Sequence, residues 1–207
     1  MPTGGGPCGF RRRLALSAGL GILLWCLPVT GWAQNSFRWV TNYYAVTGAD
    51  FPEIMDSINR SRPARLAPPL SGLTEWNIHW RIAMSPTEHG CRCSSFTTHT
   101  TLTNTLPFWR PPTNATYRMK NEWQRYFGNL ATHEAGHSRI ALAALAEVHR
   151  QVKEVKEAPD YESLRTQINQ TVEHVLDRYR QMEVDYDTRT EHGARQFAAV
   201  SPAGKSP

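Results

Sequence analysis

Two imidazoles stand four residues apart in His133-Glu134-Ala135-Gly136-His137, with a carboxylate directly after the first. On a helix, residues i and i+4 lie on one face, one turn apart. That is the separation at which two histidines share one tetrahedral Zn²⁺. The pattern is H-E-x-x-H, in which the glutamate beside the metal acts as base toward water whose pKa the ion lowers to about 7. With eight histidines in the chain, the pattern would arise in only about 2% of random orderings of this composition, so it carries weight as a motif. His133 and His137 are therefore candidate zinc ligands, and Glu134 is the candidate catalytic base.

These side chains need a frame. Residues 38–47 (RWVTNYYAVT) are β-branched and aromatic and end at Gly48, which predicts a first strand. Asp50 then caps a short helix with Phe51, Ile54, Met55 and Ile58 at helical spacing, and Pro63 stops it. After a loop over 62–71, residues 73–83 alternate, with Trp76, Ile78, Trp80 and Ile82 on one face. A turn over 85–90 leads to a threonine-rich strand over 91–106, a suitable antiparallel partner. From Asn114 the pattern is helical through the H-E-x-x-H segment until Ala158-Pro159-Asp160, which marks a stop and a new cap. Leu164, Ile168, Val172, Val175, Tyr179 and Met182 line the next helix. The expected fold class is α+β: a small antiparallel β-sheet with a short helix, packed against a long C-terminal helical hairpin carrying H-E-x-x-H, zincin-like.

The N-terminal end has a different character. Arg11-Arg12-Arg13, an apolar run over 14–27 and the small-residue site Gly31-Trp32-Ala33 form the three-part layout of a signal peptide over 1–33, cleaved after Ala33. The run is shorter than the ~20 residues of a membrane span, so no stable span is expected once the leader is removed. Residues 34–196 then make a single domain, followed by a frayed tail over 197–207. Removing the three leader arginines lowers the formal charge from +5 to +2, because the leader holds no acid. So weak a charge argues against nucleic acid as a partner. The expected location is periplasmic or secreted. Cys91 and Cys93 remain; in an oxidising compartment a strained bridge and two free thiols are equally open.

A catalytic zinc takes three protein ligands and leaves a fourth position for water. The metzincin continuation is absent, since Ile140 and Ala143 replace its glycine and third histidine. Glu173 and Asp177 mimic a thermolysin-like continuation. If the hairpin turns near Ala158, however, Glu173 sits about six residues off level with His137, roughly 9 Å along the helix. Glu183 and the loop beyond it are at the right height. That loop, Tyr186-Asp187-Thr188-Arg189-Thr190-Glu191-His192-Gly193, holds an aromatic hydroxyl, a carboxylate and a histidine.

The leader, Thr74-Glu75-Trp76-Asn77-Ile78 ahead of a cysteine-bearing strand, His133-Glu134-Ala135-Gly136-His137, and Tyr186-Asp187 followed by Thr190 and His192-Gly193 together carry a family resemblance. The chain resembles the bacterial proteins grouped as domain of unknown function 922, which are predicted secreted zinc-dependent proteases. The resemblance implies His133 and His137 as ligands, Glu134 as base and His192 as third ligand. Asp187 is the alternative ligand, or the carboxylate that fixes the tautomer of a ligating histidine. Tyr186 becomes a candidate donor to the oxyanion.

The expectation is a secreted or periplasmic metallopeptidase with one Zn²⁺ per chain and a peptide or protein substrate. The alternative is a non-catalytic zinc-binding envelope protein with a zincin-like fold. His79, His89, His99, His149 and His174 lack a companion at ligand spacing and read as surface or satisfied core residues. The sequence does not indicate an oligomeric state.

Overall fold

The computed structural model of the protein describes residues 34–66 and 70–193. The expected leader and tail lie outside them. The elements run β1 (Ser36–Val46), α1 (Phe51–Ser61), β2 (Leu73–Thr87), β3 (Gly90–Trp109), α2 (Tyr117–Glu154), β4 (Glu157–Ala158) and α3 (Tyr161–Thr190). The class is α+β, with a mixed four-stranded sheet and three helices.

A two-residue turn at Glu88–His89 joins β2 to β3 and sets them antiparallel, with Thr87 opposite Gly90 and Leu73 opposite Thr105. β3 is the central strand: the order is β1-β3-β2, and the short β4 pairs with β3 at Cys91 and Arg92. The expectation of a purely antiparallel sheet needs correction, because β1 lies parallel to β3, from Ser36 opposite His99 to Val46 opposite Trp109. α1 and the loop after it pass the chain to β2 at the level where β1 stops, since Tyr43 faces Leu106 and Leu73 faces Thr105. β2 therefore runs back, and the hairpin returns β3 in the direction of β1.

Alternation in β2 divides its two faces as expected. Trp76, Ile78, Trp80 and Ile82 pack with Val148, Val152, Leu164, Ile168, Val172 and Val175 of the helical hairpin, while Glu75, Asn77, His79 and Arg81 are exposed. A second cluster joins Tyr44, Val46, Ile54, Ile58, Leu66 and Trp109 to Trp123 and Tyr126 at the start of α2. Both short-range caps are in place. Asp50 accepts from the Glu53 amide at 2.9 Å while Glu53 accepts from the Ala49 amide at 2.7 Å, and Asp160 accepts from the Ser163 amide at 2.7 Å. Cys91 and Cys93 are free thiols, the first buried in the larger core.

The C-terminal segment differs from expectation. α3 remains helical through Thr190, so Tyr186 and Asp187 are helical residues and not part of a loop. Only Glu191, His192 and Gly193 turn away, all at positive φ (49°, 51° and 90°). No helix among the described residues is long and apolar enough to cross a membrane.

Candidate metal centre

The middle of α2 presents His133, Glu134 and His137 as buried residues on one face. Opposite them, one turn of α3 brings Glu183 and Asp187 into reach. Three donor atoms converge: His133 Nε2 and His137 Nε2 are 3.3 Å apart, and Asp187 Oδ1 lies 3.1 Å from the first and 2.9 Å from the second. A tetrahedral Zn²⁺ with bonds of about 2.1 Å holds its ligands about 3.4 Å apart. The two imidazoles and the carboxylate therefore fit such an ion in both spacing and donor type, and they are the group able to hold a metal among the described residues.

The outward-facing nitrogens of both rings have acceptors. His137 Nδ1 is 3.5 Å from Glu183 Oε1, which also accepts from Trp76 Nε1 at 2.8 Å. His133 Nδ1 is 3.4 Å from Thr190 Oγ1, whose own proton goes to the Tyr186 carbonyl at 2.8 Å. Protons on the two Nδ1 atoms leave both Nε2 lone pairs facing the centre, as metal ligation requires. Burial, together with the charge of His137, pushes the His133 pKa down. At His137 burial acts in the same direction, but the hydrogen bond to Glu183 and the charge of Asp187 outweigh it and raise the pKa.

Glu134 is buried next to this triangle. Its Oε2 accepts from Thr74 Oγ1 at 2.7 Å, linking the carboxylate to the start of β2. Burial raises its pKa, and the Thr74 bond offsets part of that rise. A base shifted upward from the ordinary carboxylate range is better matched to proton transfer near neutrality. Two cavities meet at Glu134. One, about 280 Å³, is lined by Thr74, His137, Glu183 and Asp187; the other, about 210 Å³, by Met55, Tyr126, Leu130 and His192.

Gly136 is explained by α3. A Cβ there would collide with the Tyr186 hydroxyl and ring. Tyr186 stacks on His133 with centroids 5.1 Å apart and planes 12° apart, and its hydroxyl donates to the His133 carbonyl at 3.3 Å. This places the hydroxyl against the α2 backbone.

The structure brings together His133, Glu134, His137 and Tyr186. Of the two candidates for the third ligand, Asp187, the alternative, converges with the histidines among the described residues, and His192, the one the resemblance implies, does not. His192 approaches Asp187 Oδ1 only to 3.5 Å with a half-exposed side chain. The cause is the length of α3, which carries Asp187 inward on its last turns and leaves His192 beyond the helix end, in the left-handed turn. Glu173 and Asp177 pair with Arg180 on the exposed side of α3. The strand partner Thr74 was missed as a functional residue; its only sequence signal was its place in the Thr74–Ile78 segment.

No match is found among curated proteins or solved structures. The family described as "Bacterial protein of unknown function (DUF922)" matches residues 41–193, which include both cores, Thr74, the H-E-x-x-H turn of α2 and the end of α3. The chain therefore belongs to that bacterial family.

Proposed function

We propose that the protein is a zinc-dependent hydrolase that cleaves peptide bonds in the periplasm or outside the cell. The observation that carries this is the triangle of His133 Nε2, His137 Nε2 and Asp187 Oδ1 beside a buried glutamate. A zinc ion held by these three residues would supply Lewis-acid polarisation of a carbonyl and a lowered pKa for water. Glu134 keeps Oε2 on Thr74 and Oε1 available, takes the proton from water, and delivers it to the leaving amine. Gly72 leaves Oε1 clear, since a Cβ at that position would stand 2.6 Å from it.

Support for a peptide substrate comes from β2. Its outer edge pairs with no strand among the described residues, and a cavity of about 640 Å³ follows residues 74–80 along it. Extended peptides add to such edges through main-chain hydrogen bonds. The leader layout supports a site of action beyond the cytoplasm.

Glu134→Gln should retain about one zinc per chain, measured by elemental analysis, and lose hydrolysis of a broad peptide library. Retained hydrolysis would overturn the mechanism. A fully loaded wild-type protein that cleaves no peptide would favour the non-catalytic zinc-binding envelope protein.

A further inference from the structure

Behind Glu134 a chain of polar side chains crosses all three long strands. Asn104 sits on the central strand β3, 6% exposed, directly opposite Thr74 of β2 in the register. From β1, Trp39 Nε1 donates to Asn104 Oδ1 at 2.6 Å. An indole N–H can only donate. It therefore fixes the amide with its oxygen toward β1 and its NH₂ group toward α2. The two amide protons go to Thr74 Oγ1 at 2.8 Å and to Ser138 Oγ at 3.1 Å.

Each hydroxyl has a single proton and already accepts one from Asn104, so each passes its own proton on. Thr74 donates to Glu134 Oε2 at 2.7 Å, its nearer acceptor, with the Glu134 carbonyl at 3.2 Å, and Ser138 donates to the Glu134 carbonyl at 3.0 Å. Both branches end on the same residue, one on its side chain and one on its main chain. With the amide reversed, both hydroxyls would donate to Asn104 and Glu134 would lose both contacts. The direction of the whole fork is thus set at its far end by Trp39.

We propose that Asn104, oriented by Trp39 and acting through Thr74 and Ser138, is the positioning residue that holds Glu134 Oε2 as an acceptor and leaves Oε1 for the reaction. This rests on Glu134 being the base of a hydrolase. None of Trp39, Asn104 and Thr74 is among the three converging donors, so the proposal concerns the base and not zinc affinity. Supporting partners of this kind change activity by about 10–100-fold when removed.

The test uses the zinc-loaded full chain carrying Thr74→Val, Thr74→Ser, Asn104→Asp or Trp39→Phe. Thr74→Val removes the proton at nearly constant shape. Asn104→Asp replaces the donating NH₂ with an acceptor, so that both hydroxyls turn toward residue 104. Expected are a fall in kcat of about 10–100-fold for both variants with KM and zinc content unchanged, restoration by Thr74→Ser, and a smaller fall for Trp39→Phe. Crystal structures of the two damaging variants should show the Glu134 carboxylate displaced from residue 74. Unchanged kcat with an unmoved carboxylate overturns the proposal, as does loss of zinc in these variants. A wild-type protein without peptide hydrolysis overturns instead the assignment of Glu134 as base. The carboxylate position then decides the proposal alone: displacement supports it and an unmoved carboxylate refutes it.

Discussion

Gly128 and Gly136 lie on the same helix and should respond to alanine in opposite ways. A Cβ at Gly128 meets nothing within 4 Å. Gly128→Ala should therefore gain the helix-propensity difference alone, about 0.8–1.0 kcal/mol, or roughly 2–4 °C in Tm for a domain of this size. A Cβ at Gly136 falls against the Tyr186 hydroxyl and ring, with Cε1 at 2.7 Å. Ordinary carbon contacts are about 3.5–4.0 Å and Cζ stands nearer than Cε1, so the ring must retreat by more than about 1 Å. Overpacking of this kind costs about 1–3 kcal/mol. Both variants share the propensity gain, so the difference between them isolates the clash: about 1–3 kcal/mol, or roughly 2–12 °C in Tm. Because Tyr186 stacks on His133, the retreat also disturbs a ligand of the proposed zinc site. Zinc affinity should fall at least about tenfold in Gly136→Ala and stay unchanged in Gly128→Ala. Thermal unfolding of the metal-free protein and competition titration against a chromogenic chelator read the two effects separately. If Gly136→Ala proves as stable and as tight for zinc as Gly128→Ala, Tyr186 does not pack on the H-E-x-x-H turn.

Two further outcomes follow from side-chain placement. Asp187→Ala should lose most of its zinc by elemental analysis while His192→Ala keeps nearly all of it; the reverse result would return the third-ligand role to His192. Glu147 accepts from Arg150 at 2.7 and 2.8 Å, from Gln151 at 3.0 Å and from Arg178 at 3.1 Å, which together hold its carboxyl well below the usual carboxylate range. A lowered folded-state pKa contributes stability that is complete above the unfolded value of about 4.3 and is lost as pH falls through the folded one. Glu147→Gln should therefore flatten the acid limb of a urea-unfolding series below about pH 4. An unaltered limb would remove Glu147 as a link between α2 and α3.

Local periodicity made much of the frame legible. The i, i+4 histidines, the alternating Trp76 to Ile82 face and the caps Asp50 and Asp160 depend on neighbours within one or two turns, and each appears in the structure as the sequence predicts. Glu134 is adjacent to His133 by covalent connection, so its closeness to the candidate site needed no tertiary information.

What faces those residues comes from the packing of distant elements. Periodicity specifies the buried side of a helix but not the residues across from it. That depends on the register between α2 and α3, which the packing of Val148, Val152, Leu164 and Ile168 determines. The residues Tyr186–Thr190 look like a loop because they are polar, but in the structure they continue α3, and this places Asp187 rather than His192 against the histidines. In the same way the parallel pairing of β1 with β3 depends on the path of the chain through α1, and it alone brings Trp39 to Asn104 and thus to Thr74 and Glu134. The i, i+4 histidines and the glutamate beside the first could be read directly, because helical geometry is local. The carboxylate that converges with them and the hydrogen bonds that hold Glu134 came only with the fold, because both are contacts between elements far apart in the chain.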